Sequence, residues 1–526
     1  MAGSRGSAPC GVLEKHRRFS VANASHAKAS QECEPKAKYD WLTLTAGAEP
    51  NKQRRKSMIE VYNTMTKKKE EFKPVKEGEV GIYCCGVTPY NHPHIGNARP
   101  FVTWDVIRRF FAKKGYKVRY VQNFTDVDDK IIAKANGEKS DWKTVSGRYI
   151  DSYFKVMDAL NVKRADVYPR VSETMEDIVE MISGLVEKGY AYQTESGVYY
   201  SVEKFDGYGK LSGRSLEDMQ AGARVEVDEK KKNPMDFALW KAAKPGEPAW
   251  DSPFGKGRPG WHIECSTMSL MYLGKTFDFH GGGSDLIFPH HENEIAQSEA
   301  YLGKNTFANY WCHNGFITIK QEKMSKSAGN FFTVDEILKE FDGEVVRFFI
   351  LGTHYRSPLD FSKERLEEAK TSLRRLAQAK EAGEEFLKRD GNSGSAKDVL
   401  AKAKEYWKNF DEAMEDDFNT AKAIGEMFSL AKEINVYVAG NNAPDKADFA
   451  EVMKIYSDMA EILGIFEQGA KAEDGLTETL MEFILNLRAE AKREKNYALA
   501  DKIRDGLKEI GVIVEDTKSG AKWKRE

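Results

Sequence analysis

From residue 78 onward the chain alternates between two hydrophobic periods. Glu79-Val-Gly-Ile-Tyr-Cys-Cys85 is a short apolar run that predicts a strand, and a Gly-Val-Thr-Pro turn follows it. Residues 98–114 carry the spacing of a helix, and residues 117–123 predict a second strand. Strand, helix and strand in succession imply a crossover unit in a parallel sheet. Residues 141–190 read as helical, whereas 190–250 is short, Gly-rich and charged, an inserted module outside the sheet. The α/β pattern returns with Gly260-Trp-His-Ile-Glu-Cys265, read as ending a further strand, and runs to Ser327. Beyond residue 334 helical periodicity dominates, over 334–350, 362–390, 396–439, 446–466 and 475–510. Gly/Ser/Asn stretches near 391–396 and 439–445 mark the breaks, and 511–515 predicts a strand.

Residues 1–57 differ: they are rich in Ala, Ser and Lys, lack periodicity and close with Asn51-Lys-Gln-Arg-Arg-Lys56. Three readings stay open, a disordered basic arm, an organelle transit peptide and a mispredicted start codon with Met58 opening the structured sequence. The third is preferred. The length of 526 residues suggests three to four domains, and 41% apolar with 31% charged residues suits ordinary globular cores with a soluble surface. A net charge of −2 gives no basic excess, so any RNA contact must come from local patches such as the mildly basic C-terminal tail. Six irregularly placed cysteines fit a reducing cytoplasm better than a disulfide framework. No apolar stretch approaches the ~18–20 residues of a membrane span. The expectation is a soluble, cytoplasmic protein.

Two distant motifs carry chemistry. A histidine-glycine turn opening a helix, His94-Ile-Gly-Asn97, suits nucleotide phosphates, which meet free backbone N–H groups and the helix dipole there. His92 stands just upstream, and Gly96 lets an adenine approach the backbone; a capping role for these histidines is the structural alternative. Lys323-Met-Ser-Lys-Ser327 supplies two cations, Lys323 and Lys326, that can neutralise developing charge, although alone they read as a solvated charge run. In this order the two motifs point to an enzyme that activates a carboxylic acid with ATP.

The densest constellation is His280-Gly-Gly-Gly-Ser-Asp285 followed by Pro289-His-His-Glu-Asn-Glu294. The glycines, Gly283 among them, permit close backbone approach, and Asp285 can accept from ribose hydroxyls or an amino group. His290 and Glu294 are spaced to share one helix face, as two metal ligands would. Cys85 and Cys265 can add two thiolates, a donor set that favours tetrahedral zinc. Cys84, His262, Glu264 and His291 are neighbouring competitors, and buried structural cysteines remain an alternative.

Residues 58–526 resemble the cysteinyl-tRNA synthetases, a class I aminoacyl-tRNA synthetase family. The resemblance runs through Cys85-Gly-Val-Thr-Pro-Tyr, His94-Ile-Gly-Asn97, Asn123-Phe-Thr-Asp-Val-Asp-Asp-Lys130 and Gly222-Ala-Arg-Val225. It continues in Gly260-Trp-His-Ile-Glu-Cys-Ser266, His280-Gly-Gly-Gly-Ser-Asp285, Pro289-His-His-Glu-Asn-Glu294 and Lys323-Met-Ser-Lys-Ser327. Residues 1–57 match nothing in the family.

The resemblance implies an α/β fold. A Rossmann-type parallel-sheet core, in halves 58–155 and 256–332, is split by a connective insertion at 156–255. A stem-contact helical region at 333–390, a helical DALR-like domain at 391–470 and a C-terminal anticodon-binding domain at 471–526 would follow. It implies zinc on Cys85, Cys265, His290 and Glu294, and cysteine beside Thr88 and Trp261. It also implies ATP, with Mg²⁺, on His92, His94, Gly96, Asn97, Gly283, Asp285 and Lys326. Asn97 departs from the class-wide motif, which has a second histidine there.

The implied reaction is activation of L-cysteine to the adenylate and transfer to tRNA(Cys), by a monomer. Shape alone separates cysteine from serine only ~10²-fold, short of the ~10⁴–10⁵ that protein synthesis needs, and a sulfur-binding zinc would supply the rest. Alternative readings are a cysteine ligase of the mycothiol-synthesis type and a non-catalytic synthetase-like RNA-binding protein. The helical, basic C-terminal region and the intact motifs stand against them.

Overall fold

The computed structural model describes residues 58–215, 231–303, 307–319, 322–323, 332–392, 395–467, 471–509, 512–517 and 520–525. Residues 1–57, the Gly222–Val225 motif and Met324–Ser327, including Lys326, lie outside the described residues, and of Lys323 only the backbone is described.

A hairpin of β1 (Glu60–Asn63) and β2 (Lys68–Glu71) precedes the core. Then come β3 (Glu79–Val87), α1 (Ile95–Lys113) and β4 (Lys117–Phe124), the predicted crossover unit. Helix α2 (Asp129–Glu138) lies ahead of the expected helical stretch 141–190, which holds two helices, α3 (Trp142–Ala159) and α4 (Met175–Glu187), with the loop between them. The inserted module is a sheet of its own, β5 (Ala191–Thr194), β6 (Gly197–Tyr200), β7 (Phe237–Ala242) and β8 (Gly257–Pro259), paired antiparallel in that order. Next, Gly260 caps α5 (Trp261–Leu273), so Cys265 lies in a helix and not at a strand end. The segment misleads because its polar side chains, His262, Glu264, Ser266 and Ser269 among them, are buried like its apolar ones. No polar face marks the helical period.

The second half of the sheet is β9 (Phe277–Gly283), α6 (Glu292–Leu302) and β10 (Ala308–Asn314). Together the four core strands pair in parallel in the order β10-β9-β3-β4. The two halves therefore run outward in opposite directions from the β3–β9 pair, which opens a crevice beyond the carboxyl ends of those strands. Alternation along β3 feeds two cores: Ile82 and Cys84 face one, Tyr83 and Cys85 the other.

A small sheet of β11 (Ile317–Ile319), β12 (Glu322–Lys323) and β13 (Leu359–Asp360) follows. Around it, α7 (Val334–Ile337) and α8 (Gly343–Leu351) lead to a bundle of α9 (Lys363–Leu387), α10 (Lys397–Glu415), α11 (Thr420–Gly440) and α12 (Lys446–Leu463). The expected 396–439 helix is two, broken where Asp417 and Phe418 take positive φ. The 475–510 helix is likewise α13 (Lys471–Arg493) and α14 (Tyr497–Glu509), ahead of a hairpin of β14 (Val512–Thr517) and β15 (Gly520–Arg525).

The bundle is bolted to the sheet through α1. Asp105, buried on α1, accepts from Arg109 Nε at 2.7 Å, from Arg108 Nε at 3.1 Å and from Arg347 Nη2 of α8 at 2.7 Å. Arg347 also donates to the Leu463 carbonyl at the end of α12, at 2.7 Å. Burial alone would raise the Asp105 carboxyl, but three guanidinium groups hold it at about 2. No helix of the described residues is long and apolar enough to cross a membrane.

Candidate active site and metal centre

A cleft of about 420 Å³ opens at the crevice between β3 and β9. Its lining includes Cys85, Thr88, His92, His94, Gly96, Asn97, Trp261, Gly283 and Asp285, so the expected nucleotide and substrate residues that are described share one cavity.

One wall is the start of α1. His94 is its N-cap: Nδ1 accepts from the Asn97 backbone N–H at 3.3 Å, while Asn97 Oδ1 accepts from the His94 N–H at 3.4 Å. The capping reading of these residues holds, and both also line the cleft, as the ligand-binding reading expects. The opposite wall is the glycine end of β9. A Cβ on Gly281 would fall 2.1 Å from the Trp104 ring, which explains a residue without a side chain there. Beyond the cleft, the Val334 N–H donates to the Pro93 carbonyl at 2.8 Å, and His92 contacts Asp335 at 3.2 Å. The chain just after the lysine motif is thus tied to the residues just before the His94 turn.

The floor is the metal candidate. Ligand atoms of Cys85, Cys265, His290 and Glu294 all lie within 4.8 Å of one another, and all four residues are buried. Cys85 comes from the end of β3 and Cys265 from the second turn of α5. His290 comes from the wide turn Ile287–His291, and Glu294 from the first turn of α6. The two sulfurs are 3.7 Å apart, Cys85 Sγ is 3.5 Å from Glu294 Oε1, and His290 Nε2 is 3.0 Å from the same oxygen. Two sulfurs, an imidazole and a carboxylate converging in a buried pocket fit a zinc-type ion.

The charges suit that role. Burial alone would raise the Cys265 thiol, yet its contacts with Cys85 and His290 bring it down to about 6. Burial works against charge on His290, but the Glu294 carboxylate outweighs it and lifts the imidazole to about 10. Glu294 is held at about 2, its burial outweighed by His280 and His290.

A second group, Cys85, His280, His291 and Glu294, satisfies the same distance. It shares two residues with the first but only one sulfur, and His280 and His291 sit at 0% exposure behind the floor. Cys85, common to both sets, lines the cleft, and the first set adjoins it also through Trp261, whose ring stacks on His290 at 4.3 Å between centroids. His280 instead orients Glu294, with Nε2 2.8 Å from Oε2. His291 Nδ1 is 2.7 Å from His313 Nε2, and burial keeps both imidazoles well below their usual range. His313 escaped the sequence reading, because only the parallel pairing of β9 with β10 brings it here.

Residues 71–371 match the family model described as tRNA synthetases class I (C) catalytic domain, and 409–467 match the DALR domain. The cysteine–tRNA ligase of Heliobacterium modesticaldum is 53% identical over 478 residues, covering 89% of this chain and 99% of that protein. The cysteine–tRNA ligase of Carboxydothermus hydrogenoformans is 55% identical over 470 residues, covering 89% and 100%. Among solved structures, Mycobacterium tuberculosis methionyl-tRNA synthetase with methionyl-adenylate aligns at a TM-score of 0.52 and 17% identity, over 73% of this chain and 89% of that one. A LeuRS–tRNA–LeuAMS complex of Agrobacterium radiobacter aligns at 0.54 and 10% identity, over 75% and 85%. These two share the fold.

Proposed function

The chain belongs to the cysteine-type class I tRNA synthetases, and we propose that it activates L-cysteine with ATP and transfers it to tRNA(Cys). The observation that carries this reading is a buried group of four side chains able to ligate a metal, at the floor of the cleft whose wall is the His94–Asn97 helix start.

Cysteine would enter thiol-first, with Thr88 and Trp261 beside it. A zinc ion on Cys85, Cys265, His290 and Glu294 would supply a ligand position that takes sulfur and refuses the serine hydroxyl. ATP, carried with Mg²⁺, would lie between the start of α1 and the β9 glycines, with Gly96 and Gly283 admitting it closely and Asp285 receiving a ribose or amino hydrogen bond. The cysteine carboxylate then attacks the α-phosphorus, a new O–P bond forms and pyrophosphate leaves. His92, His94, Asn97, Lys323 and Lys326 are assigned to the charge that builds on the phosphates. In the second step a terminal ribose hydroxyl of the tRNA attacks the adenylate carbonyl and AMP leaves. Little proton transfer is asked of the side chains, so catalysis is positioning and electrostatics.

The core halves 58–155 and 256–332 are assigned to this chemistry and 156–255 to the insertion. Residues 333–390 are assigned to the tRNA stem, 391–470 to the helical DALR-like domain and 471–526 to the anticodon, in a monomer working in the cytoplasm. The test is charging: labelled cysteine, ATP, Mg²⁺ and total tRNA, counted in precipitable RNA. Cysteine counts that depend on ATP support the reading. Cysteine that consumes ATP without reaching RNA overturns it.

A further inference from the structure

We propose that Asn123 is a positioning residue that aims Cys85 into the metal centre and ties it to the helix carrying Cys265. The inference rests on the reading above that these cysteines hold an ion.

β3 and β4 pair regularly from Glu79 opposite Lys117 to Cys84 opposite Gln122, and the register then slips so that Val87 faces Phe124. Cys85 and Gly86 together therefore oppose the single residue Asn123. Such a bulge interrupts the ladder and bends the strand, while Cys85 keeps the face that it shares with Tyr83. Here the Asn123 side chain fills the gap in the ladder, as Oδ1 accepts from the Gly86 N–H at 2.8 Å. The fit is close: a Cβ on Gly86 would lie 1.6 Å from the Asn123 carbonyl oxygen.

The same amide reaches the other cysteine. Asn123 Oδ1 lies 3.7 Å from Cys265 Sγ, and Nδ2 donates to Thr125 Oγ1 at 3.4 Å. Thr125 in turn donates to Glu264 Oε2 at 2.8 Å, one residue before Cys265. Asn123 is 1% exposed, so water does not substitute for it. One buried side chain thus fixes the backbone next to one sulfur and touches the other. Outer groups of this kind tune metal affinity ~10–100-fold.

The experiment measures metal content, chelator competition and the thiolate-to-cobalt absorption of the cobalt-loaded full chain, for wild type, Asn123→Ala, Asn123→Asp and Cys265→Ser. Asn123→Ala is expected to weaken metal binding ~10–100-fold and to shift the cobalt absorption, in addition to the stability that the metal-free protein loses with a buried hydrogen bond. Asn123→Asp keeps the acceptor for Gly86, so its cobalt absorption stays close to wild type. If Asn123→Ala does not fold, Asn123→Asp decides: an absorption as disturbed as that of Cys265→Ser overturns the proposal. Wild-type affinity and absorption in Asn123→Ala also overturn it. A wild-type chain that binds no ion brings down the metal centre itself, a result distinct from an Asn123 variant that binds normally.

Discussion

Cys85 Sγ and Cys265 Sγ lie 3.7 Å apart, although 180 residues separate them in the chain. They meet because β3 ends at the floor of the crevice and α5 begins there. With His290 and Glu294 alongside, the pair forms a buried donor set that opens on the cleft.

Metal loading should release protons. Metal-free, His290 holds a proton up to about pH 10, and burial, with the Cys265 sulfur beside it, raises the Cys85 thiol well above its usual range. Cys265, at about 6, is already mostly thiolate at neutral pH, and Glu294, at about 2, is ionised. Binding at pH 7 is expected to free about two protons per ion, so apparent affinity rises with pH. Indicator absorbance in a lightly buffered titration measures the number.

Asp105→Asn should cost about 3–5 kcal/mol, because it removes the carboxylate that buried Arg347 donates to, while Arg109 keeps Glu467. Its pH signature follows from a folded value of about 2 against an unfolded ~3.9. A depressed carboxyl contributes stability that is present above the unfolded value and is lost as pH falls through about 2. Urea unfolding from pH 5 to pH 2 should show wild type and variant converging toward the acid end.

Lys326→Ala should lower cysteine-dependent pyrophosphate exchange ~10²–10³-fold while leaving the KM for cysteine nearly unchanged, since a phosphate-neutralising cation acts on the transition state. Steady-state exchange at varied cysteine and ATP separates the two effects.

Much of this architecture was legible in the chain. Strand β3, helix α1 and strand β4 announced themselves through period and a glycine turn, and the spacing of His290 and Glu294 placed both on one face. Cys265 reads as a strand end because residues 262–269 of α5 are all buried and show no polar stripe. The long helices over-ran because their breaks at Asp417–Phe418 and at Lys495 use non-glycine residues with positive φ, which leave no composition signal. The His280–Glu294 contact depends on how the turn after β9 sets α6, and the His291–His313 contact on the pairing of β9 with β10, neither of which the residue types reveal.

The central claim is that an ion held by Cys85, Cys265, His290 and Glu294 chooses the thiol substrate. It is tested most directly by pyrophosphate exchange with cysteine and with serine, before and after the chain is stripped by a chelator and reloaded with zinc. The loaded protein is expected to discriminate by ~10⁴ or more, to lose cysteine activation on stripping and to regain it with zinc. Cysteine activation that survives stripping, or serine used within ~10² of cysteine by the loaded protein, would contradict it.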